Sequence, residues 1–569
     1  MQLMVTVQVP IVLLLLFQVS ASTNSTEVII IGGGLAGLMA AWQLKVANVD
    51  FLLLESRSEL GGRVMTKDFS DSSGSHPINV GPRSISTGAK WIHGACSKNP
   101  ALTLARRYNV ATKKMDFDNV AVYRESKDDF CATDDEDCTK PYNKIAKALE
   151  DVHENQDGSD SSENLKDRLL NYGWNSDTGL NSNLKKAYQW YNVEYEYAAS
   201  AEELAASQTT LKVYENEGGT EELVTSSDGF KKLITQIADE VGVKECTDSS
   251  TKIRCSSIVT KVSYGQGVAV TVKNALTNTM TEIAADYVLI TVSLGVLQHN
   301  RIDFDPPLST AKQEAIRKFG MGTLTTIFAK FEYNFWSRQL KPLFSGKKKP
   351  VQNIIAASND PTYSKAHINL AAYNPLWKTL IFSATGAQSS FIERQSDTEN
   401  KANVMNMLRD MYGHRIPDYP INFHVPRWKN DSNFYGAYSF WPVDFTEDDH
   451  VYLRSDERGR LFFAGEAMSK AFFGFLQGAI CTGLDQADAI ISSIGVSNVG
   501  SSSVLNDVKS GCKCEDSSSW RWWYYLLIAL GCTLVIIIII GCICICCYKC
   551  KKKGTDTEGT EQLNSPINE

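Results

Sequence analysis

The sequence predicts an α/β protein that opens on a parallel strand–helix–strand unit. Three observations predict it. Glu27-Val28-Ile29-Ile30-Ile31 is a β-branched run of the kind found in buried parallel strands. Gly32-Gly33-Gly34-Leu35-Ala36-Gly37 follows at once, satisfies G-x-G-x-x-G and leads into a helix-like stretch from Leu38 to Val46. Val49 to Leu54 reads as the second strand and is closed by Glu55, 18 residues after Gly37.

Each part of this unit has a physical task. Gly32 permits the tight turn, Gly34 lets the backbone approach a pyrophosphate, and Gly37 packs the helix on the sheet. Leu35 and Ala36 of the turn are cofactor-binding candidates, and the helix N-terminus offers N–H groups to phosphates. Glu55 can accept from ribose hydroxyls. The chain continues through Arg57 to Gly61-Gly62-Arg63, where the glycines allow close backbone approach and Arg63 is a bidentate donor for a pyrophosphate. The target of this apparatus is a dinucleotide.

Composition bounds the rest. With 569 residues, 43% hydrophobic and 21% charged, the chain is ordinary globular material. Its 57 basic and 65 acidic residues leave a net charge of −8, which argues against nucleic acid and suits a cationic ligand. An acidic run from Asp128 to Asp137 reads as a solvated loop, or as a lure for polycations. No metal is expected.

Both ends carry targeting signals. Val9 to Phe17, followed by Val19-Ser20-Ala21, predicts a signal peptide over 1–21. The uncharged stretch from Trp522 to Tyr548 predicts one transmembrane helix over 522–548, after a Ser-rich stalk at 498–521. Lys549, Lys551, Lys552 and Lys553 place the tail, 549–569, in the cytoplasm. The expectation is a membrane-anchored, single-pass type I protein with its bulk extracellular or lumenal, at the cell surface. In an oxidising compartment, Cys131/Cys138 and Cys246/Cys255 are natural disulfide pairs by spacing, although sequence alone leaves connectivity open. Asn24-Ser25-Thr26 and Asn430-Asp431-Ser432 are glycosylation sequons.

Further segments recur in a set order. They are Gly88-Ala89-Lys90-Trp91-Ile92-His93-Gly94, Asp228-Gly229-Phe230 with Leu233, Ile258 to Val262, and Asp286 to Leu297 with Ser293 in place of a proline. Phe304 to Leu308, Pro426-Arg427-Trp428, Gly436 to Ser439, and Phe463-Ala464-Gly465-Glu466 with Gly474 and Gly478-Ala479 follow. Together with the N-terminal unit, these resemble the flavin-containing amine oxidases, and within them the polyamine oxidase and spermine oxidase branch. The resemblance covers roughly 27–495 and is weaker from 100 to 220 and from 330 to 420.

The resemblance implies an FAD-binding Rossmann-like (GR2-type) domain at 22–95, 226–310 and 422–497, with an interleaved α+β substrate domain at 96–225 and 311–421. It implies that Val259 contacts adenine, that Glu466 binds the ribityl chain, and that Trp428 packs near the isoalloxazine. Gly88, Ala89, Lys90, Trp91, Gly465, Gly474, Phe475 and Leu476 are implied cofactor neighbours. Ala437 stands where related enzymes carry the cysteine that attaches the flavin, so FAD is expected to be non-covalent. Tyr438 and Phe475 fall on the paired aromatic rings of the family, and His93 on a histidine of the substrate cleft. The family lysine that holds a water against the flavin falls on Thr326, which supplies no positive charge. Lys90 is a cation that could act from another side.

The implied reaction is oxidation of a small polycationic amine, spermine, spermidine or an acetylated form. Hydride leaves the carbon beside the nitrogen, the imine is hydrolysed, and oxygen is reduced to hydrogen peroxide. Two alternatives stay open. One is an L-amino-acid or other amine oxidase, with Arg83 pairing a carboxylate. The other is a flavin-binding membrane protein with little turnover because of Thr326. Neither the amine, the bond cleaved nor the oligomeric state follows from the sequence.

Overall fold

The computed structural model describes residues 25–512, apart from 71–83, 117–118, 125–128, 133–135, 156–161, 178–181, 209–218, 244–245, 248–251, 266, 344–349, 358–365 and 498. All described residues but Cys512 belong to one compact unit ending at Gly511. The elements that build the site are β1 (Ser25–Ile31), α1 (Leu35–Val46), β2 (Phe51–Leu54), β3 (Trp91–Ala95), β4 (Thr220–Val224), β5 (Met280–Ile290), β6 (Leu324–Lys330), β7 (Thr379–Thr385), β8 (Leu461–Phe463) and α2 (Leu476–Ile494).

The predicted strand–helix–strand is present, with β1 and β2 parallel, Val28 opposite Phe51 and Ile31 opposite Leu54. It lies inside an eight-stranded sheet ordered Ile253–Arg254, β2, β1, β5, Val268–Asn274, Ser257–Tyr264 and Asp303–Asp305, with β8 paired to β5. Burial from both sides explains the unbroken apolar runs: Val28, Ile29 and Ile30 are fully buried, as are Val288 and Leu289 of β5. Strands from the start, middle and end of the chain meet here, which brings distant motifs to one edge.

Helix α1 is buried along ten consecutive residues, Leu35 to Leu44. Its partner is α2. A Cβ on Gly483 of α2 would lie 2.3 Å from Ala36 O, so the two helices cross at backbone contact. The contact falls on the first turn of α1 and the third turn of α2.

A second sheet has seven strands, ordered Asn422–His424, β6, β7, Ala366–Asn369, Asn353–Ala356, Val120–Tyr123 and Phe130–Ala132. A third joins β3, β4 and Thr112–Met115. The expected pairs Cys131–Cys138 and Cys246–Cys255 are both bonded, with Cα–Cα separations of 6.5 and 5.4 Å. Cys481 is also disulfide-bonded, and Cys96 is a buried free thiol.

The expected membrane anchoring and single-pass localisation require correction. Among the described residues no helix is long and apolar enough to cross a membrane. The two 19-residue helices fail for a plain reason: Glu136–Glu154 is amphipathic and charged, and α2 carries Asp485 and Asp488. The segments read as a transmembrane helix (522–548), a cytoplasmic tail and a signal peptide lie outside the described residues, as do Arg83 and Asn24.

Candidate active site

One long cavity runs between the sheet edges. Gly32, Gly34, Leu35, Ala36, Glu55, Gly62, Arg63, Gly88, Ala89, Lys90, Trp91, His93, Trp428, Tyr438, Gly465, Glu466, Gly474, Phe475 and Leu476 all line it. Of the residues expected at the site, Gly37, Arg57, Val259 and Thr326 do not.

At the cofactor end the backbone is bare. Gly32 has φ +114°, a turn that favours glycine, and it is braced by Thr291 Oγ1, which donates to Ile31 O and Gly32 O at 3.0 Å. A Cβ on Gly34 or on Gly465 would meet no protein atom within 4 Å. A Cβ on Gly37 would lie 2.0 Å from Gly32 O, so that glycine lets α1 close on the turn. Neither α1, capped by Gly34, nor α2, capped by Phe475, has a side-chain N-cap bond, so both helix N-termini present N–H groups to the cavity. Two helix N-termini on one cavity and an open glycine backbone fit a pyrophosphate.

Glu55 is 5% exposed. Its Oε2 accepts the Gly33 N–H at 2.6 Å, and its Oε1 accepts the Arg57 N–H at 2.9 Å and Ser56 Oγ at 3.2 Å. Burial pushes its pKa up, and the Arg57 and Gly33 N–H groups oppose that shift. The carboxylate is fixed and faces the cavity, as a ribose acceptor must. Arg57 turns away: it pairs with Glu59 at 3.0 Å and covers the Phe434 ring at 5.6 Å.

Arg63 and Glu466 clamp the middle. Arg63 Nη1 lies 2.7 Å from Glu466 Oε1 and 3.1 Å from Ala437 O. Glu466 Oε2 accepts the Gly474 N–H at 2.7 Å and the Ser439 hydroxyl. The Gly62–Arg63 turn is pressed against Gly88, where a Cβ would fall 1.8 Å from Arg63 O. Ser293, at the position of the family proline, donates to Phe434 O at 2.8 Å.

The far end is aromatic and ionic. Trp91 stands edge-on to Tyr195 at 6.3 Å, and His93 to Phe475 at 5.0 Å. Tyr438 donates its hydroxyl to Tyr195 O at 2.9 Å, and burial holds its pKa well above the usual phenol value. His93 Nδ1 lies 2.6 Å from Glu221 Oε2. Burial disfavours charge on His93, but Glu221, with Glu196 behind it, raises its pKa to about 9. The Glu221 carboxyl is lowered by His93 against its own burial, and desolvation raises the half-buried Glu196. His93 and Glu221 thus form an ion pair at neutral pH.

Lys90 Nζ is in the same wall. It donates to Gly88 O at 2.9 Å and lies 5.3 Å from the Trp91 ring centroid and 5.8 Å from that of Phe328. Thr326 is fully buried in β6, and its hydroxyl has no hydrogen-bond partner. It shares a strand face with Leu324, which lines the cavity, and with Phe328.

Glu196, Glu221 and Tyr195 were not singled out from sequence. Tyr195 and Glu196 come from a region of weak resemblance, and Glu221 from its edge. The one local signal was the interleaving of acids and rings in Glu194-Tyr195-Glu196-Tyr197, around a π-helical turn at Trp190–Glu194.

The family model described as flavin containing amine oxidoreductase matches residues 35–491. Polyamine oxidase 1 of Zea mays is 29% identical over 491 residues, covering 83% of this chain and 91% of the relative. Polyamine oxidase 2 of Arabidopsis thaliana is 29% identical over 481 residues, covering 82% and 88%. The solved structure of putrescine oxidase bound to putrescine superposes with a TM-score of 0.63 at 16% identity, over 82% of this chain and 99% of that one. It shares the fold.

Proposed function

The chain belongs to the flavin-containing amine oxidoreductase family, and on that premise we propose that its cavity oxidises a small polycationic amine of the spermine or spermidine class, acetylated forms included. The enzyme is an amine oxidase and its cofactor is FAD. One observation carries the substrate reading: the cavity that begins at two helix N-termini ends in a ring of aromatic side chains backed by Glu196 and the His93–Glu221 pair at 2.6 Å.

FAD, when bound, would supply a two-electron acceptor for hydride from the carbon beside the amine, with oxygen as the final acceptor and hydrogen peroxide as the product. The protein holds it through the N–H groups of α1 and α2, through Glu55, and through the Arg63–Glu466 clamp. Ala437 offers no nucleophile at the cavity wall, so the cofactor is non-covalent.

The chain's remaining work is on the substrate. An aliphatic amine has a pKa of ~10 in water, and only its neutral form gives up hydride readily. Walls made of Trp91, Tyr438 and Phe475 penalise the charged form and hold the reacting nitrogen neutral. The Tyr438 ring is pinned by its bond to Tyr195 O, and its phenol stays protonated. Distal ammonium groups remain charged and are met by Glu196 and Glu221, with cation–π support from the rings. This division fixes which carbon sits at the reacting centre.

The test is hydrogen peroxide release by the purified full chain loaded with FAD. Spermine, spermidine and N-acetylated polyamines are compared with a monoamine and several L-amino acids. Peroxide from polyamines is expected. Peroxide from L-amino acids alone would overturn the substrate assignment.

A further inference from the structure

Lys90 is a buried lysine with no carboxylate partner. The residue is 5% exposed, and it makes no ion pair among the described residues. Its ammonium can donate three hydrogen bonds, yet one acceptor, Gly88 O at 2.9 Å, is supplied to it. Trp91 and Phe328 cover the rest. Such a group is costly unless something in the cavity uses it.

The surroundings explain its state. The charged and titratable groups on the elements packed around it are His93 on β3, which begins at the next residue, Glu221 and Glu222 on β4, Tyr195, Glu196, Tyr438, Arg63, Lys330 at the end of β6, and His424 with Lys67 behind Phe328. None pairs with it. Burial alone lowers its pKa to about 7. The orphaned hydroxyl of Thr326 lies on the β6 face that carries Phe328.

We propose that Lys90 is the proton-exchanging group of the flavin site, neutral while the cofactor is oxidised and protonated while it is reduced. The proposal rests on the amine oxidase reading. Its balance closes. A neutral amine gives hydride, two electrons and a proton, to the cofactor, which gains one negative charge as the substrate becomes an iminium ion. Lys90 takes one proton from solvent and offsets that charge. Oxygen then accepts the hydride equivalent from the cofactor and the proton from Lys90, leaving hydrogen peroxide, oxidised cofactor and neutral lysine. The same positive charge favours electron transfer to oxygen.

The test needs no amine. The two-electron midpoint potential of the FAD-loaded full chain is measured by anaerobic dithionite titration from pH 6 to pH 9. Wild type is expected to show a steeper fall above the lysine's pKa, because reduction there takes up one more proton than below it. Lys90→Met is expected to lose the steeper segment and to reoxidise with oxygen roughly 10²-fold more slowly. Lys90→Arg, charged at every pH, is expected to lose the steeper segment while keeping rapid reoxidation. Absence of the steeper segment in wild type would overturn the proposal whatever the variants do, as would its persistence in Lys90→Met. Failure of every amine to reduce the enzyme would overturn the substrate reading and leave this result readable.

Discussion

His93 and Glu221, 128 residues apart in the chain, meet at 2.6 Å between Nδ1 and Oε2 at the aromatic end of the cavity. The contact exists because β3 and β4 are antiparallel neighbours, with Ile92 opposite Glu222 and Ala95 opposite Thr220. Neither residue alone says what the pair does. Together they hold an imidazolium and a carboxylate at one wall of a cavity whose other rings are neutral.

That pairing predicts a pH response. With Glu221 present, His93 loses its proton at about 9. In Glu221→Gln burial, which disfavours the imidazolium, is opposed by Glu196 alone, so the pKa falls by at least about a unit toward or below the ordinary ~6.5. NMR titration of the histidine ring, assigned with His93→Asn, measures this. The same Glu221→Gln exchange should lower kcat/KM for a tetraamine by roughly tenfold or more and leave a monoamine nearly unchanged, since a charged hydrogen bond contributes ~1.5–3 kcal/mol.

The glycines of the first turn should separate fold from binding. Gly34→Ala points a methyl group into open space. It should leave the melting temperature of the cofactor-free protein near wild type and weaken FAD retention about tenfold or more, ~1.4 kcal/mol. Gly37→Ala drives a Cβ to 2.0 Å from Gly32 O. It should destabilise the protein itself by roughly 3 kcal/mol, read by denaturant unfolding.

The Arg63–Glu466 clamp gives a third prediction. The two side chains are 23% and 8% exposed, so the pair falls short of full burial. Glu466→Gln should therefore cost about 2 kcal/mol, below the ~3–5 of a fully buried pair. It should also loosen the Gly474 turn and speed FAD loss, measured by fluorescence of released flavin.

Lys312 serves as a structural contrast. It is fully buried, donates to the carbonyls of Tyr452, Leu453 and Ser455 at 2.9, 2.9 and 2.6 Å, and lies 4.0 Å from the Phe463 ring. Lys312→Met strands three carbonyls and should cost about 3 kcal/mol in unfolding free energy. The visible spectrum of bound flavin should not change.

Much of the cofactor end was legible because its signals are local. Gly32, Gly34, Gly37 and Glu55 lie within one strand–helix–strand unit, and period and spacing expose them. Arg63 and Glu466 were each recognisable as cofactor neighbours, but a 403-residue separation hid their contact. Glu196 and Glu221 were not legible. Glu196 lines the cavity from a helical turn after a π-helix, and Glu221 is held against His93 by a strand whose partners lie more than a hundred residues away. Thr326 carries a different lesson. Its place at the family lysine position was implied by the resemblance, but its burial without a partner, on the face that carries Phe328, could not be read. The membrane expectation rested on the segments 1–21 and 522–553, outside the described residues, and no helix among the described residues is long and apolar enough to cross a membrane.

The most direct measurement is anaerobic mixing of the FAD-loaded full chain with one amine at a time, following bleaching of the flavin absorbance. Bleaching by spermine or spermidine, with no bleaching by a monoamine or by L-amino acids, is the predicted result. An oxidised spectrum that persists with every polyamine, or bleaches only with an L-amino acid, would contradict the account.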